Sequence, residues 1–329
     1  MSRLIAAARR TFSSNQGGFQ KSGPGAFKTV KSAKFGIDKW HFPSFGVLSD
    51  THTDFYHEIP SKMEKHLNDL ASLTPWLVLA GDISRPSHPL YRGLLKTVSR
   101  LFRQVILVSG NHEYYRKPPG CDREPQHASE EEKEESERHN LFEAKAEEQI
   151  RAEISGLTNV HFLQREGATL EWRNSSGVER IHFLGCTLWS TPPQWMWKGL
   201  PQMMGVSWEK YVKMHQRDKE WLEETLLELN REKSTRGEKK VVVTHHLPSF
   251  QMVHEKYKDF YSGMHASSQE KLLRLADVWV CGHSHAYVRK KINGCLCVLN
   301  PYGYPKEESG FRRGLVEMEN LDLETSKSL

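Results

Sequence analysis

Seven short apolar segments, each followed at once by polar residues or glycine, recur along the sequence from residue 45 onward. They occupy residues 45–49, 77–80, 105–109, 181–185, 241–244, 278–281 and 296–299. Several are apolar throughout, as strands buried on both faces are. Amphipathic helical patterns at 61–71, 89–102 and 207–230 alternate with them. This alternation of strands and helices predicts an α/β fold.

The positive charge of the sequence is concentrated near its start. Residues 1–40 contain eight Lys or Arg residues and one acidic residue, whereas the chain of 329 residues has a formal net charge of only +5. The remainder is therefore close to neutral and offers no general field for a long polyanion, so nucleic acid is left open as a substrate but is not favoured. No apolar run approaches the ~18 residues that a membrane span requires.

Two regions of different composition are predicted. Residues 1–40 are rich in Arg, Ser and Gly with no acidic residue before Asp38, which is typical of a mitochondrial transit peptide. A disordered basic tail on a cytoplasmic protein is the alternative, and import of a reporter fused to this segment distinguishes the two. Residues 41–329 are predicted to form the folded domain, with an acidic helical insertion at about 117–150.

Five of the apolar segments lead directly into carboxylate, amide or imidazole side chains. These are Asp50 and His52, then Asp82, then Asn111, His112 and Glu113, then His245 and His246, and finally His283 and His285. Because the carboxyl ends of strands converge on one edge of an open α/β sheet, we expect these groups to meet. Burying them together is costly unless divalent ions neutralise the carboxylates, so the pattern predicts a metal site.

The order of these motifs is more specific than any one of them. Asp-x-His, Gly-Asp, Gly-Asn-His-Glu, His-x-Pro and Gly-His-x-His, each after an apolar segment, resemble the signature of the calcineurin-like metallophosphoesterase superfamily over about residues 45–304. The resemblance implies an αββα fold, a sandwich of two mixed sheets flanked by helices. It also implies a hydrolase of phosphoester bonds, either a phosphomonoesterase or a phosphodiesterase, that uses a dinuclear metal centre and a metal-bound hydroxide as nucleophile.

The resemblance further implies two ligand sets that share Asp82. The first metal would be held by Asp50, His52, Asp82 and His285, and the second by Asp82, Asn111, His246 and His283. His246 is preferred to His245 because the family form His-x-Pro matches His246-Leu-Pro248. Oxygen and nitrogen ligands without a thiolate suit two divalent transition-metal ions, Mn, Fe or Zn, and select none of them.

Three more residues are candidates for the catalytic step. His112 resembles the family histidine that donates a proton to the leaving oxygen or steadies the transition state. Glu113 is expected to fix the tautomer of His112 through a hydrogen bond. The guanidinium of Arg85 could bind phosphate oxygens bidentately, or it could form a surface salt bridge.

Departures from the family pattern narrow the activity. Arg85 stands where purple acid phosphatases have a tyrosine ligand, and Pro86 and Ser87 follow it where protein phosphatases continue with Gly. We therefore expect a small or medium phosphorylated substrate. The alternatives are a nuclease and a catalytically inactive scaffold for protein partners, and the sequence leaves the oligomeric state open.

Overall fold

A sandwich of two mixed β-sheets with helices on both outer faces forms the framework of the protein. The computed structural model describes residues 28–30, 44–115, 141–174, 177–197, 206–231, 238–258, 262–318 and 321. Among these residues, no helix is long and apolar enough to cross a membrane. The arrangement confirms the α/β class and the αββα architecture that the sequence predicts.

The first sheet has five strands in the order β12-β2-β3-β4-β5, all parallel except β12. Its strands are β2 Ser44–Leu48, β3 Trp76–Ala80, β4 Gln104–Val108, β5 Val160–Phe162 and β12 Leu315–Glu317. Helices α1 Ser61–Ala71 and α2 Pro89–Leu101 connect β2 to β3 and β3 to β4. Pro89 at the first helical position and the imidazole of His88, which accepts from Leu90 N at 3.3 Å, fix the start of α2.

The second sheet has seven strands in the order β1-β6-β7-β8-β9-β11-β10. Its strands are β1 Lys28–Val30, β6 Glu166–Asn174, β7 Gly177–Gly185, β8 Glu238–Val243, β9 Val278–Cys281, β10 Val288–Ile292 and β11 Cys295–Leu299. The central strands β7, β8, β9 and β11 are mutually parallel, so their carboxyl ends lie on one edge. Five further helices are described, namely α3 Leu141–Glu153, α4 Gln194–Trp197, α5 Trp208–Arg231, α6 Ser262–His265 and α7 Glu270–Leu273.

The largest apolar core lies between the two sheets. Phe45 of β2 and Phe183 of β7 are both fully buried, and their rings meet edge to face with centroids 5.7 Å apart. On the outer faces, Leu67 of α1 and Leu94 of α2 pack on the first sheet, and Leu222 of α5 packs on the second. Because both faces of the central strands are covered, their sequences are apolar at consecutive positions.

Two described segments fall within the predicted N-terminal region and the predicted insertion. Lys28–Val30, within the segment expected to be a transit peptide or tail, pairs with β6 as a parallel strand. Helix α3 occupies the last part of the predicted insertion. The acidic run at 129–138 lies outside the described residues.

Candidate metal centre

Five strands from both sheets end at the same place and deliver the polar residues that follow them. Backbone hydrogen bonds tie the turns together: Asp50 N donates to Gly81 O at 3.0 Å, and His52 N donates to Asp82 O at 3.0 Å. Within the first sheet, Gly110, after β4, lies against Asp82, after β3, where an added Cβ would be 2.1 Å from the carboxylate. The absence of a side chain at Gly110 lets this carboxylate enter the site.

The backbone at the site is strained. Five predicted metal ligands have left-handed conformations, with φ of 51° at Asp50, 41° at His52, 52° at Asp82, 72° at His283 and 45° at His285. Such conformations are costly for residues other than glycine and cluster at functional sites, where the surrounding structure holds them. Their concentration at the strand ends is the pattern that functional sites show.

The first group of converging side chains consists of Asp50, His52 and His285. The Nε2 atoms of His52 and His285 are 3.0 Å apart, and Nε2 of His285 lies 3.4 Å from Oδ1 of Asp50. All three residues are buried, and their ligand atoms lie within 4.8 Å of one another. This is the spatial grouping that a shared cation requires.

The second group converges on Asp82, Asn111 and His245. Nδ1 of His245 donates to the carbonyl oxygen of Ala80 at 2.8 Å, so Nε2 faces Oδ1 of Asn111 at 3.0 Å and Oδ2 of Asp82 at 3.3 Å. His283 joins Asp82 and His245 in a set with ligand atoms within 4.8 Å. Asp82 also approaches Nε2 of His52 at 3.8 Å, which places it between the two groups.

His245 is part of the second group, whereas its neighbour His246 faces Tyr211 and His283. Nε2 of His246 lies 3.4 Å from the hydroxyl of Tyr211, and its ring lies 4.3 Å from that of His283, centroid to centroid. The His-x-Pro match assigns the ligand role to His246, whereas the contacts of Asp82 and Asn111 are with His245.

The chemistry of these atoms fits bound cations. In the first group, Oδ2 of Asp50 is buried and has no hydrogen-bond partner among the described residues. In the second group, Nε2 of His245, Oδ1 of Asn111 and Oδ2 of Asp82 present lone pairs to one another unless Nε2 of His245 also carries a proton. Two nitrogen ligands of one ion at about 2.0–2.1 Å lie about 3 Å apart, close to the 3.0 Å between His52 and His285.

The electrostatics divide the histidines into two classes. Burial lowers the pKa of His52 to about 3 and holds the pKa values of His246 and His283 well below the ordinary value. Burial also opposes the charging of His245 and His285, but Asp82 raises the pKa of His245 to about 9, and hydrogen bonds with Asp50 and Glu307 raise that of His285 to about 10. The buried carboxylates thus recruit positive charge, from protons or from metal ions.

His112 lies on the open side of the centre. Its Nε2 atom is 3.9 Å from Oδ2 of Asp82 and 3.2 Å from the hydroxyl of Tyr304, and its backbone N–H donates to Oδ1 of Asp82 at 2.8 Å. The ring of Tyr304 stacks on His52 with centroids 4.3 Å apart. Tyr304, in the loop after β11, therefore bridges a predicted ligand and the predicted proton donor.

Glu113 contacts the turns that carry the ligands. Its carboxylate accepts from the backbone N–H groups of Asp82 at 3.0 Å, Ile83 at 2.8 Å and Gly110 at 2.7 Å. Burial and the neighbouring Asp82 raise the pKa of Glu113 to about 8, while the N–H donors favour its ionised form. The sequence analysis expects Glu113 to form a hydrogen bond with His112. Its carboxylate instead points into the turns after β3 and β4.

Arg85 is held by a carboxylate beside the first group. Its Nε donates to Oδ2 of Asp54 at 3.1 Å, and its side chain is 21% exposed. The ion pair uses Nε, which leaves the terminal nitrogens outside it. Arg85 can therefore form the salt bridge through Nε and still bind phosphate through its terminal nitrogens.

Sequence reasoning missed three residues that support the centre: Glu307, Tyr211 and Asp218. Glu307 accepts from Nδ1 of His285 at 2.6 Å. Asp218 accepts from Leu188 N at 2.8 Å and so fixes the turn after β7, which presents Trp189 with its ring centroid 5.6 Å from that of His246. Glu307 lies in the loop after β11, where a strand-end search could have found it, whereas Tyr211 and Asp218 lie on helix α5, to which no strand-end pattern points.

Comparison with known families agrees with this geometry. The sequence profile of the calcineurin-like phosphoesterase family matches residues 43–287. The chain belongs to that family, which confirms the resemblance seen in the motifs. No protein in a comparison with curated sequences is significantly similar to the chain.

Comparison with solved structures gives matches at low sequence identity. The phosphopantetheinyl hydrolase PptH of Mycobacterium tuberculosis is 20% identical, with a TM-score of 0.53, and the match covers 84% of this chain and 95% of that one. A dimetal phosphatase of Danio rerio is 12% identical with a TM-score of 0.42, over 82% of this chain and 90% of that one. At 20% identity the likeness to PptH concerns the fold alone.

Proposed function

We propose that the protein hydrolyses a phosphoester bond of a small or medium substrate with the help of two divalent metal ions. The observation that carries this proposal is the position of Asp82, whose Oδ2 atom lies 3.3, 3.8 and 3.9 Å from Nε2 of His245, His52 and His112. A carboxylate placed between two ligand groups can bridge two ions, and family membership supplies the reaction class.

The described residues define which side chains would hold each ion. Asp50, His52, Asp82 and His285 would hold the first, and Asp82, Asn111, His245 and His283 the second. Bound Mn²⁺, Fe²⁺ or Zn²⁺ would supply Lewis acidity toward the phosphoryl group and an activated water at neutral pH.

The chain's own groups would orient the substrate and move the proton. Nε2 of His112, steadied by the hydroxyl of Tyr304, faces the open side and can donate a proton to the leaving oxygen. The terminal nitrogens of Arg85 would bind phosphate oxygens while Asp54 holds Nε. Phe55, 52% exposed with its ring centroid 5.0 Å from that of Tyr304, gives the leaving group an aromatic surface to contact.

Metal removal tests the proposal. The purified protein is expected to hydrolyse p-nitrophenyl phosphate or bis-p-nitrophenyl phosphate, to lose this activity after chelation, and to regain it with Mn²⁺, Fe²⁺ or Zn²⁺. The substrate panel should also include nucleotides and phosphopantetheinyl compounds. The latter are included because the structural neighbour PptH is a phosphopantetheinyl hydrolase. A protein that binds two equivalents of metal and cleaves nothing in the panel would favour the inactive scaffold, and cleavage of single-stranded DNA would favour the nuclease.

A pair of substitutions assigns the imidazole of the second site. His245→Ala is expected to leave about one equivalent of metal bound, because Nε2 of His245 faces both Asp82 and Asn111. His246→Ala, the matched control from the adjacent position, is expected to retain two equivalents. Metal content after gel filtration gives the readout, and the reverse result would return the ligand role to His246.

A further inference from the structure

The loop after β11 brings a carboxylate to the outer nitrogen of a predicted metal ligand. Nδ1 of His285 donates to Oε2 of Glu307 at 2.6 Å. The other ring nitrogen, Nε2, faces Oδ1 of Asp50 at 3.4 Å and Nε2 of His52 at 3.0 Å. A proton fixed on Nδ1 leaves the Nε2 lone pair available on the side of the ring where the first ligand group converges.

The loop is shaped to present this carboxylate. The backbone N–H of Tyr304 donates to the same oxygen of Glu307 at 3.0 Å, and the N–H of Gly303 donates to Asp50 O at 2.9 Å. Gly303 has φ of 85°, and a Cβ there would lie 3.0 Å from Oε2 of Glu307. Glycine therefore allows the loop to bind the Asp50 turn and the carboxylate at once.

We propose that Glu307 is a positioning residue that fixes the tautomer and ring orientation of His285 and so strengthens metal binding at the first site. This inference rests on the proposed function. It adds a residue beyond position 287, where the family match ends. Carboxylates that accept from the second nitrogen of a ligand histidine typically change metal affinity by about 10–100-fold.

A contribution to folding alone fits the geometry less well. The Glu307 side chain is 21% exposed and accepts from both His285 Nδ1 and Tyr304 N, so its loss also removes two hydrogen bonds that support the loop. The orientation of the imidazole, by contrast, matters most when a cation must be bound by Nε2. The effect of Glu307 should therefore be measured as metal affinity alongside unfolding.

Three variants separate these roles. Titration of the metal-free proteins with Mn²⁺ is expected to show binding at the first site weakened by about 10–100-fold in Glu307→Ala. Glu307→Gln should stay close to wild type, because the amide oxygen can also accept from Nδ1. Glu308→Ala, at the exposed neighbouring glutamate, should match wild type. Unfolding of the metal-free proteins is measured alongside, so that any loss of stability in Glu307→Ala is separated from its loss of metal affinity.

A spectroscopic measurement on the wild type tests the same point without a substitution. In the Zn²⁺-loaded protein, ¹⁵N spectra of the imidazoles should show a proton on Nδ1 of His285 and none on Nε2. Equal Mn²⁺ affinity of wild type and Glu307→Ala, or a proton on Nε2, would overturn the inference while the hydrolase proposal stands. Failure of wild type itself to bind Mn²⁺ would overturn both.

Discussion

Replacement of Asp82 by asparagine is expected to reduce phosphoester hydrolysis by more than about 100-fold and to reduce metal retention to one equivalent or less. This exceeds the loss of about 10–100-fold that removal of an outer-shell partner causes. An asparagine can keep the hydrogen bond that Oδ1 accepts from His112 N at 2.8 Å, so the turn should keep its shape. It cannot supply the negative oxygen that faces three imidazoles, and an amide is a poor bridge between two cations.

The matched control is Asp69→Asn on helix α1. Asp69 is 58% exposed and pairs with Lys65 on the same helix at 2.6 Å, so its substitution should leave metal content and turnover unchanged. Metal analysis and initial rates on bis-p-nitrophenyl phosphate give the two readouts. Full retention of two equivalents by Asp82→Asn would show that this carboxylate does not bridge the ions, and the bridging role proposed for Asp82 would have to be abandoned.

The sequence predicts the strands that lead to the site well, and it misses the edge strands and β6. The segments that lead to the site are buried on both faces, so their apolar runs stand out, and β9 is found at Val278–Cys281 as expected. Strands β1, β10 and β12 lie at sheet edges, where one side of the strand has no partner in the sheet and the residues are mixed. In β10, Val288–Ile292, three consecutive basic residues conceal the strand. Edge charges of this kind also discourage association with other sheets.

The sequence also predicts which strand ends meet but not which atoms face one another. Asp50, Asp82 and Asn111 converge as the strand-end rule requires. The adjacent imidazoles His245 and His246 could not be ordered by a motif, because both backbone N–H groups donate to Thr187 O and the path of this turn after β8 decides which ring enters the centre. Glu307 was missed for a related reason: it reaches His285 through a loop whose path depends on the conformation of Gly303.

The position of Glu113 beside His112 predicts that it sets the tautomer of that imidazole, whereas in the structure its carboxylate holds the turns after β3 and β4. Glu113→Ala is expected to lower the free energy of unfolding by about 3–5 kcal/mol, because three buried backbone N–H groups lose their acceptor. Glu113→Gln should cost less, about 2 kcal/mol, since one amide oxygen can still serve part of this set. Urea unfolding of metal-free protein measures both values.

Glu148→Ala is the control, because Glu148 is exposed on helix α3 and its loss should change the free energy of unfolding by less than about 0.5 kcal/mol. The two roles for Glu113 make opposite predictions. If Glu113 only set the tautomer of His112, its loss would lower turnover and leave the free energy of unfolding unchanged. If it holds the backbone N–H groups of the Asp82 and Gly110 turns, its loss must lower the free energy of unfolding. Wild-type stability in Glu113→Ala would therefore reject the turn-holding role and restore the one predicted from the sequence.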